Sequence, residues 1–305
     1  MTRPATPPLR AYVQLHFLVL IWGFTAILGL LVSVSSVALV FYRTALAAVG
    51  LAVVVLVRKQ SFDVPRRDLV RMLLVGLLLA THWILFFASA RVATASVCLA
   101  GMSTTSLWTS VVEPLINRQR VRPLEVGLGL VAVVGLYIVF RFEFDHALGL
   151  LLAIASAFLA ALFTVANSHL VKRYDAFVIT FYEMIGASVC SLLFVLVFHG
   201  LGWSGEVPLW PRAQDWLWIL VLAWVCTVYA YSMGTQLMKQ FSAFMLNLTI
   251  NLEPVYGIAL AFLIFGEKER MTFGFYLGTL VILLAVVAYP TLANTRLGRR
   301  GSRQS

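Results

Sequence analysis

Apolar residues run through this chain in long blocks, separated by short polar links. A bilayer core about 30 Å thick needs about 20 apolar helical residues to cross it. The blocks reach that length ten times: Tyr12–Val32, Val37–Val57, Leu69–Ser89, Val92–Ile116, Leu124–Phe140, Leu148–Val171, Phe177–His199, Trp216–Met238, Ala243–Phe265 and Phe273–Leu292. The pattern predicts an all-α integral membrane fold of ten transmembrane helices. Most links are short, as packed antiparallel helices require. Two are longer, Arg58–Asp68 and Gly200–Asp215. Neither can form a domain, so the chemistry of the chain belongs to its spans. The segment before the first block, MTRPATPPLR, is basic like a secretory leader. The block itself is too long for one and no small-residue cleavage pattern follows, which predicts an uncleaved first span.

Composition supports the same assignment. Of 305 residues, 61% are apolar and 12% charged, against about 25% charged in an average soluble domain. Too few polar groups exist to cover a water-soluble surface, and disorder is excluded because disordered chains are charge-rich and apolar-poor. Mean hydropathy is +0.92. The net charge of +10 changes the picture only through its distribution. With the N-terminus inside, the tails and cytosolic links carry seventeen Lys and Arg and the opposite face five, leaving Arg43 inside a span. The positive-inside rule then predicts cytosolic termini, and no nucleic-acid partner is needed to explain the charge. Cys98, Cys190 and Cys226 lie far apart within apolar blocks, which predicts buried thiols and neither a disulfide framework nor a metal site. HExxH, GxSxG, GxxxxGK[ST] and GxGxxG are all missing, so no enzyme, cofactor or nucleotide-driven pump is expected.

The two halves resemble one another. Val37-Ala-Leu-Val-Phe-Tyr-Arg43 aligns with Phe177-Val-Ile-Thr-Phe-Tyr-Glu183, an offset of 140, and Gly129 aligns with Gly278, an offset of 149. Five spans per repeat is an odd number, so the second copy enters the membrane upside down. Inverted repeats of this kind build secondary transporters, with a midplane site between halves that rock to give alternating access.

The segment Asn251-Leu-Glu-Pro-Val-Tyr-Gly-Ile-Ala-Leu-Ala-Phe-Leu-Ile-Phe-Gly-Glu-Lys268 joins a mid-span proline, an apolar stretch and a Gly-Glu turn. A last span bearing Gly274 and Gly278 follows. With Ile21-Trp22-Gly23-Phe24 and Arg43, this order resembles EamA-type members of the drug/metabolite transporter superfamily over nearly the whole chain. The resemblance implies a cytosolic tail at 1–11, a first EamA-like repeat at 12–140, a second at 148–292 and a basic cytosolic tail at 293–305. It also implies a carrier of a small metabolite in a bacterial inner membrane, working outward. The first repeat departs from the pattern. Thr105 stands at the position equivalent to Pro254, a proline occurs instead at Pro114, and Arg118 stands where a Gly-Glu glutamate is expected. The hinge of the first repeat is therefore missing or displaced to Pro114.

Ionisable residues at span depth are costly and by default mark function. Four stand out: Arg43, Glu113, Glu183 and Glu253. At about 1.5 Å per residue, Arg43 and Glu183 differ by roughly 12 Å in depth, which disfavours a bridge between them. Glu253 lies within about 7 Å of Arg43 in depth on the same rise, so Arg43–Glu253 is the preferred pair. His82 shares that depth, and Trp83 beside it can stack on a cation or simply pack. Glu113-Pro114 and Glu253-Pro254 repeat one dipeptide, and each proline frees the carbonyl four residues back, giving candidate gating breaks. Glu113 sits one turn from Asn117 and Arg118, where it can be solvated or paired. Asn247 and Asn251 share a helix face, either lining a cavity or bonding helices together. The expected function is alternating-access transport of a small polar or amphipathic, amino-acid-like solute, by exchange or coupled to a proton. Arg43 would bind an anionic group or hold Glu253, and Glu253 would take a substrate amine or a coupling proton. The expected partners are that solute and the lipid bilayer, with the chain a monomer or homodimer. The rival classes are a channel, a membrane sensor and, less favoured, an intramembrane enzyme.

Overall fold

The computed structural model describes residues 7–120, 123–142, 144–201, 208–269, 271–281, 283–285 and 288. The basic tail 293–305 and most of the tail 1–11 lie outside them. The described residues are helical throughout apart from links, with no strand among them. Among the described residues, eight helical spans are long and apolar enough to cross a membrane: Leu9–Leu31, Ser36–Val57, Arg66–Val92, Ala95–Asn117, Ala147–Leu170, Ala176–Gly200, Asp215–Leu237 and Ala243–Lys268. Each begins within a few residues of its predicted block. The fifth and tenth blocks coincide with helix Pro123–Phe142 and with the shorter apolar helix Phe273–Ala285.

Hydrogen bonding divides some spans. In chain order the helices are α1 (Leu9–Gly23), α2 (Thr25–Leu31), α3 (Ser36–Val57), α4 (Arg66–Val92), α5 (Ala95–Met102), α6 (Thr105–Asn117), α7 (Pro123–Phe142) and α8 (Ala147–Leu170). There follow α9 (Ala176–Gly200), α10 (Asp215–Leu220), α11 (Ala230–Leu237), α12 (Ala243–Ile250), α13 (Glu253–Phe265) and α14 (Phe273–Ala285). Between α10 and α11 the backbone is π-helical over Val221–Tyr229.

The starts of corresponding spans are set by the same chemistry in both halves. Ser35 accepts from Ala38 N at 3.2 Å to begin α3, and Asp175 accepts from Phe177 N at 2.9 Å to begin α9. Thr94 accepts from Val97 N to begin α5, and Ser242 from Met245 N to begin α12, both at 3.1 Å. A short side-chain acceptor satisfies amide groups that a helix start leaves open, and inside a membrane no water does so.

The fourth and ninth spans break at matching places. The ninth parts between α12 and α13, where Pro254 sits in the first turn of α13. The fourth parts between α5 and α6 without a proline. There Ser103, Thr104 and Thr105 hydroxyls turn back onto the carbonyls of Ala100, Gly101 and Met102 at 2.6, 2.8 and 2.6 Å. Such back-bonding hydroxyls compete with the helical ladder and bend it. The hinge displaced to Pro114 is therefore a correction: α6 runs through Pro114 to Asn117, and the break lies at the hydroxyl run, the position equivalent to the break before Pro254.

Two close crossings hold the halves together. A side chain at Gly257 would stand 2.9 Å from Gly23 O, so α1 and α13 meet backbone to backbone. One at Gly76 would stand 2.2 Å from Glu183 O, which fixes α4 against α9. The helix α7 packs on α6 and lays Leu124 and Leu128 against Phe244 and Leu248 of α12. Large apolar side chains such as Leu193, Leu196 and Leu263 point outward, as lipid-facing positions do.

Candidate functional site

A cavity lies where α1, α3, α4, α8, α11 and the broken spans converge. Its empty volume is about 730 Å³, including the part open to its surroundings. Its wall joins Trp22, Arg43, His82, Trp83 and Thr105 of the first half to Phe163, Thr164, Tyr231, Asn247 and Glu253 of the second.

Arg43 projects from α3 and is 2% exposed. Its Nε donates to Thr227 Oγ1 at 2.9 Å, and its guanidinium lies 3.8 Å from the Trp83 ring centroid. Thr227 stands in the π-helical stretch and donates in turn to Leu222 O, five residues back, at 2.8 Å. A π-helical turn widens the ladder and often occurs at a functional site; here it turns Thr227 toward Arg43. Trp22 Nε1 donates to Cys226 O at 3.4 Å in the same stretch. The face of Trp83 thus stabilises Arg43 through the attraction of a cation for an aromatic face, a place the sequence left open for a substrate cation.

The preferred Arg43–Glu253 bridge is not formed. Neither Glu253 nor Glu183 comes within ion-pair distance, 4.0 Å, of the guanidinium. Arg43 is held by Thr227 and Trp83 instead, and α13 begins only at Glu253, so the carboxylate stands at a helix start on the cavity wall. Among the described residues nothing hydrogen-bonds to it. A basic and an acidic side chain thus share one largely buried cavity without bridging, and a charge on either is costly unless something else pairs with it.

His82 also faces the cavity. Its Nδ1 lies 2.9 Å from Ser156 O and 2.8 Å from Ser156 Oγ, and Ser156 Oγ donates to His82 O at 2.9 Å. The carbonyl accepts the Nδ1 hydrogen, which leaves Nε2 of the neutral ring as an acceptor. Asn247 lines the cavity and bonds across it: Nδ2 donates to Thr109 Oγ1 at 2.8 Å, and Thr164 Oγ1 donates to Oδ1 at 3.4 Å. Asn251 donates to Ser106 Oγ at 2.6 Å and pins one broken span to the other. Glu113 Oε2 accepts from Phe244 N at 2.9 Å, at the start of α12. Glu183 is fully buried behind Tyr231, whose hydroxyl donates to Oε2 at 3.0 Å. Of the sequence candidates, Arg43, His82, Trp83, Asn247 and Glu253 therefore meet at one cavity, while Asn251, Glu113 and Glu183 serve contacts beside it.

Sequence reasoning missed Thr227, Tyr231 and Ser156, which are common residues at unremarkable spacing. It also missed two aspartates that were legible. Asp68 and Asp215 each open the third span of a half, and each fastens the first link of the other half. Asp215 accepts from Ser33 Oγ at 2.5 Å and Ser33 N at 3.1 Å. Beside it the Arg91 guanidinium holds the carbonyls of Gly29, Val32 and Val34. Asp68 accepts from Tyr174 Oη at 2.6 Å and from Arg173 Nη1 and Arg71 Nη1, both at 2.8 Å. Its carboxylate, as the acceptor of the phenol's hydrogen, raises Tyr174 above the ordinary tyrosine range.

A helical membrane protein in two repeats, with an internal cavity built from both, is the architecture of a small-solute carrier. The model of the EamA-like transporter family matches residues 9–141 and again 147–289. The chain belongs to the EamA-like transporter family. No curated protein matches the sequence. Twenty-eight chains of solved structures match it in fold. One crystal structure among them superposes with a TM-score of 0.69 over 93% of this chain and 98% of its own, at 18% identity. At that identity the likeness concerns the fold alone.

Proposed function

We propose that this protein is a secondary carrier that moves a small amphipathic, amino-acid-like solute across the membrane by alternating access. The observation that carries the reading is a basic and an acidic side chain on one cavity wall that do not bridge, Arg43 and Glu253, contributed by different repeats. A zwitterionic solute supplies both missing partners. Its carboxylate meets the guanidinium that Thr227 and Trp83 hold in place, and its amine meets Glu253. Trp22, Phe163 and Tyr231 offer aromatic surface to an apolar side chain, and His82 and Asn247 supply further polar contacts.

The ten spans are two inverted repeats in this reading, with both termini cytosolic in a bacterial inner membrane. The paired aspartates support the inversion, because equivalent residues fasten opposite ends of the bundle. Asp215 with Ser33 closes the outer end and Asp68 with Arg173 and Tyr174 the inner end. Rocking opens one while the other holds. The broken spans at 103–104 and 251–252 supply the flexing points, and the direction is outward. The driving force is solute exchange or a proton gradient, since the chain carries no nucleotide-binding motif.

Purified protein in liposomes tests the class. Saturable counterflow with a panel of amino acids and related zwitterions is expected. Linear, unsaturable ion flux would mark a channel, and covalent turnover of a panel member would mark an enzyme.

A further inference from the structure

Glu183 has no place on the cavity wall, yet it is a fully buried acid on α9. Its Oε2 accepts from Tyr231 Oη of α11 at 3.0 Å, and Tyr231 Oη accepts from Asn167 Nδ2 of α8 at 3.0 Å. The Asn167 side chain also stands beside the carboxyl itself. Three buried oxygens in this three-helix cluster have no hydrogen-bond partner: Glu183 Oε1, Asn167 Oδ1 and Thr235 Oγ1, which stands beside Tyr231. Buried acceptors are nearly always satisfied, and an ionised carboxylate in such a place also requires a cation.

Among the described residues, no cation is provided. Arg43, on the neighbouring α3, turns to Thr227 and Trp83. His82, on α4, turns to Ser156. Asp68, at the far end of α4, is engaged with Arg71, Arg173 and Tyr174. Cys190 lies two turns further along α9, and Tyr231 is the titratable group in contact. A hydrogen on Glu183 Oε1 turns that orphaned acceptor into a donor and removes the unpaired charge.

The cluster is also mechanically joined to the cavity and to the crossing of the two repeats. The Tyr231 ring lines the cavity and meets the Trp83 ring edge-on at 6.0 Å, and Trp83 carries Arg43. The Glu183 backbone carbonyl is the atom against which Gly76 packs, so α4 cannot shift on α9 without disturbing this residue.

We propose that Glu183 is a proton-binding site of this carrier, occluded by Tyr231 and Asn167 and distinct from the substrate pair. The assignment rests on the carrier reading for its purpose. It gives the coupling proton to Glu183 and leaves Glu253 to the substrate amine. Solute seated on Arg43 and Trp83 displaces Tyr231, opens the path from cavity to carboxyl, and lets the proton leave for the opposite side once α4 has moved on α9.

The test needs no solute. Infrared difference spectra of the purified full chain, in water and in D₂O at neutral pH, report the carbonyl stretch of protonated carboxylic acids. Glu183→Gln is expected to remove one such band, and Glu253→Gln to leave that band in place. Tyr231→Phe, which keeps the carboxyl but removes its donor, is expected to shift the band and to speed its exchange with D₂O. This second variant keeps the test open if Glu183→Gln fails to fold. A spectrum unchanged by Glu183→Gln, or a band that Tyr231→Phe neither shifts nor exposes, overturns the proposal. Counterflow that fails while the band behaves as expected would count against the carrier reading instead.

Discussion

Arg43→Lys is the sharpest perturbation of the proposed site, because it keeps the charge and removes the geometry. Lysine has neither the Nε–H that Thr227 accepts at 2.9 Å nor the planar cation that lies 3.8 Å above Trp83, and it is a more strongly hydrated charge. The lost hydrogen bond is worth about 1.5–3 kcal/mol for a charged donor. The lost stacking is worth about 0.5–2 kcal/mol. Together they set a ceiling of roughly 2–5 kcal/mol on what pre-positioning contributes. A tenfold to hundredfold rise in half-saturation corresponds to about 1.4–2.8 kcal/mol, which lies within that ceiling. The expected outcome is a rise of that size for zwitterionic solutes in counterflow, with a maximal rate reduced less. Trp83→Phe and the double variant complete a cycle, and the two single effects should fall short of additivity because both act on one guanidinium. Wild-type half-saturation in Arg43→Lys, with only the melting temperature lowered, would make Arg43 a packing residue and refute the site.

Three further outcomes follow from other parts of the structure. Glu253→Gln should weaken counterflow of amine-bearing solutes by about tenfold or more, since one charge-assisted contact is worth about 1.5–3 kcal/mol; their N-acetylated analogues should be little affected, and equal losses for both would remove the amine contact. Gly76→Ala should lower the melting temperature in detergent, because its Cβ would meet backbone at 2.2 Å and overpacking costs about 1–3 kcal/mol. Gly127→Ala, which meets nothing within 4 Å, is the control expected to be neutral or slightly stabilising. Asp215→Asn and Asp68→Asn should shift cysteine-labelling accessibility of the cavity in opposite directions, toward outward-open and inward-open forms respectively; shifts in the same direction would separate the aspartates from gating.

The spans were readable because membrane burial imposes length and apolarity on each one separately, without reference to its neighbours. Arg43 and Glu253 were readable for a related reason: a charge at span depth is rare enough to stand out alone. Their relation was not readable. Depth along two helices is a one-dimensional estimate, and it ranked the Arg43–Glu253 bridge first because nothing in the sequence tells which way each side chain turns. The competitor was Thr227, a residue whose importance depends on a π-helical turn that no periodicity announces. The same limitation hid Tyr231, which looks like any span tyrosine until Glu183 and Asn167 are placed beside it.

The hinge of the first repeat shows where a residue-matching rule and a physical rule part company. Matching by residue type looks for a proline, and at the position equivalent to Pro254 it finds Thr105. Matching by effect asks what diverts a helical carbonyl from its usual amide, and three consecutive hydroxyls at 103–105 do that at 2.6–2.8 Å. The two devices differ in one respect that bears on transport. A proline removes its amide for good, whereas a hydroxyl that bonds a carbonyl can release it and let the helix re-form. The break in the fourth span therefore rests on hydroxyl–carbonyl bonds, and the break in the ninth on an amide that Pro254 does not have. Asn251 and Ser106 join the two breaks at 2.6 Å. Asymmetry between the halves thus resides in the chemistry of their hinges, within an otherwise matching frame of caps, links and spans.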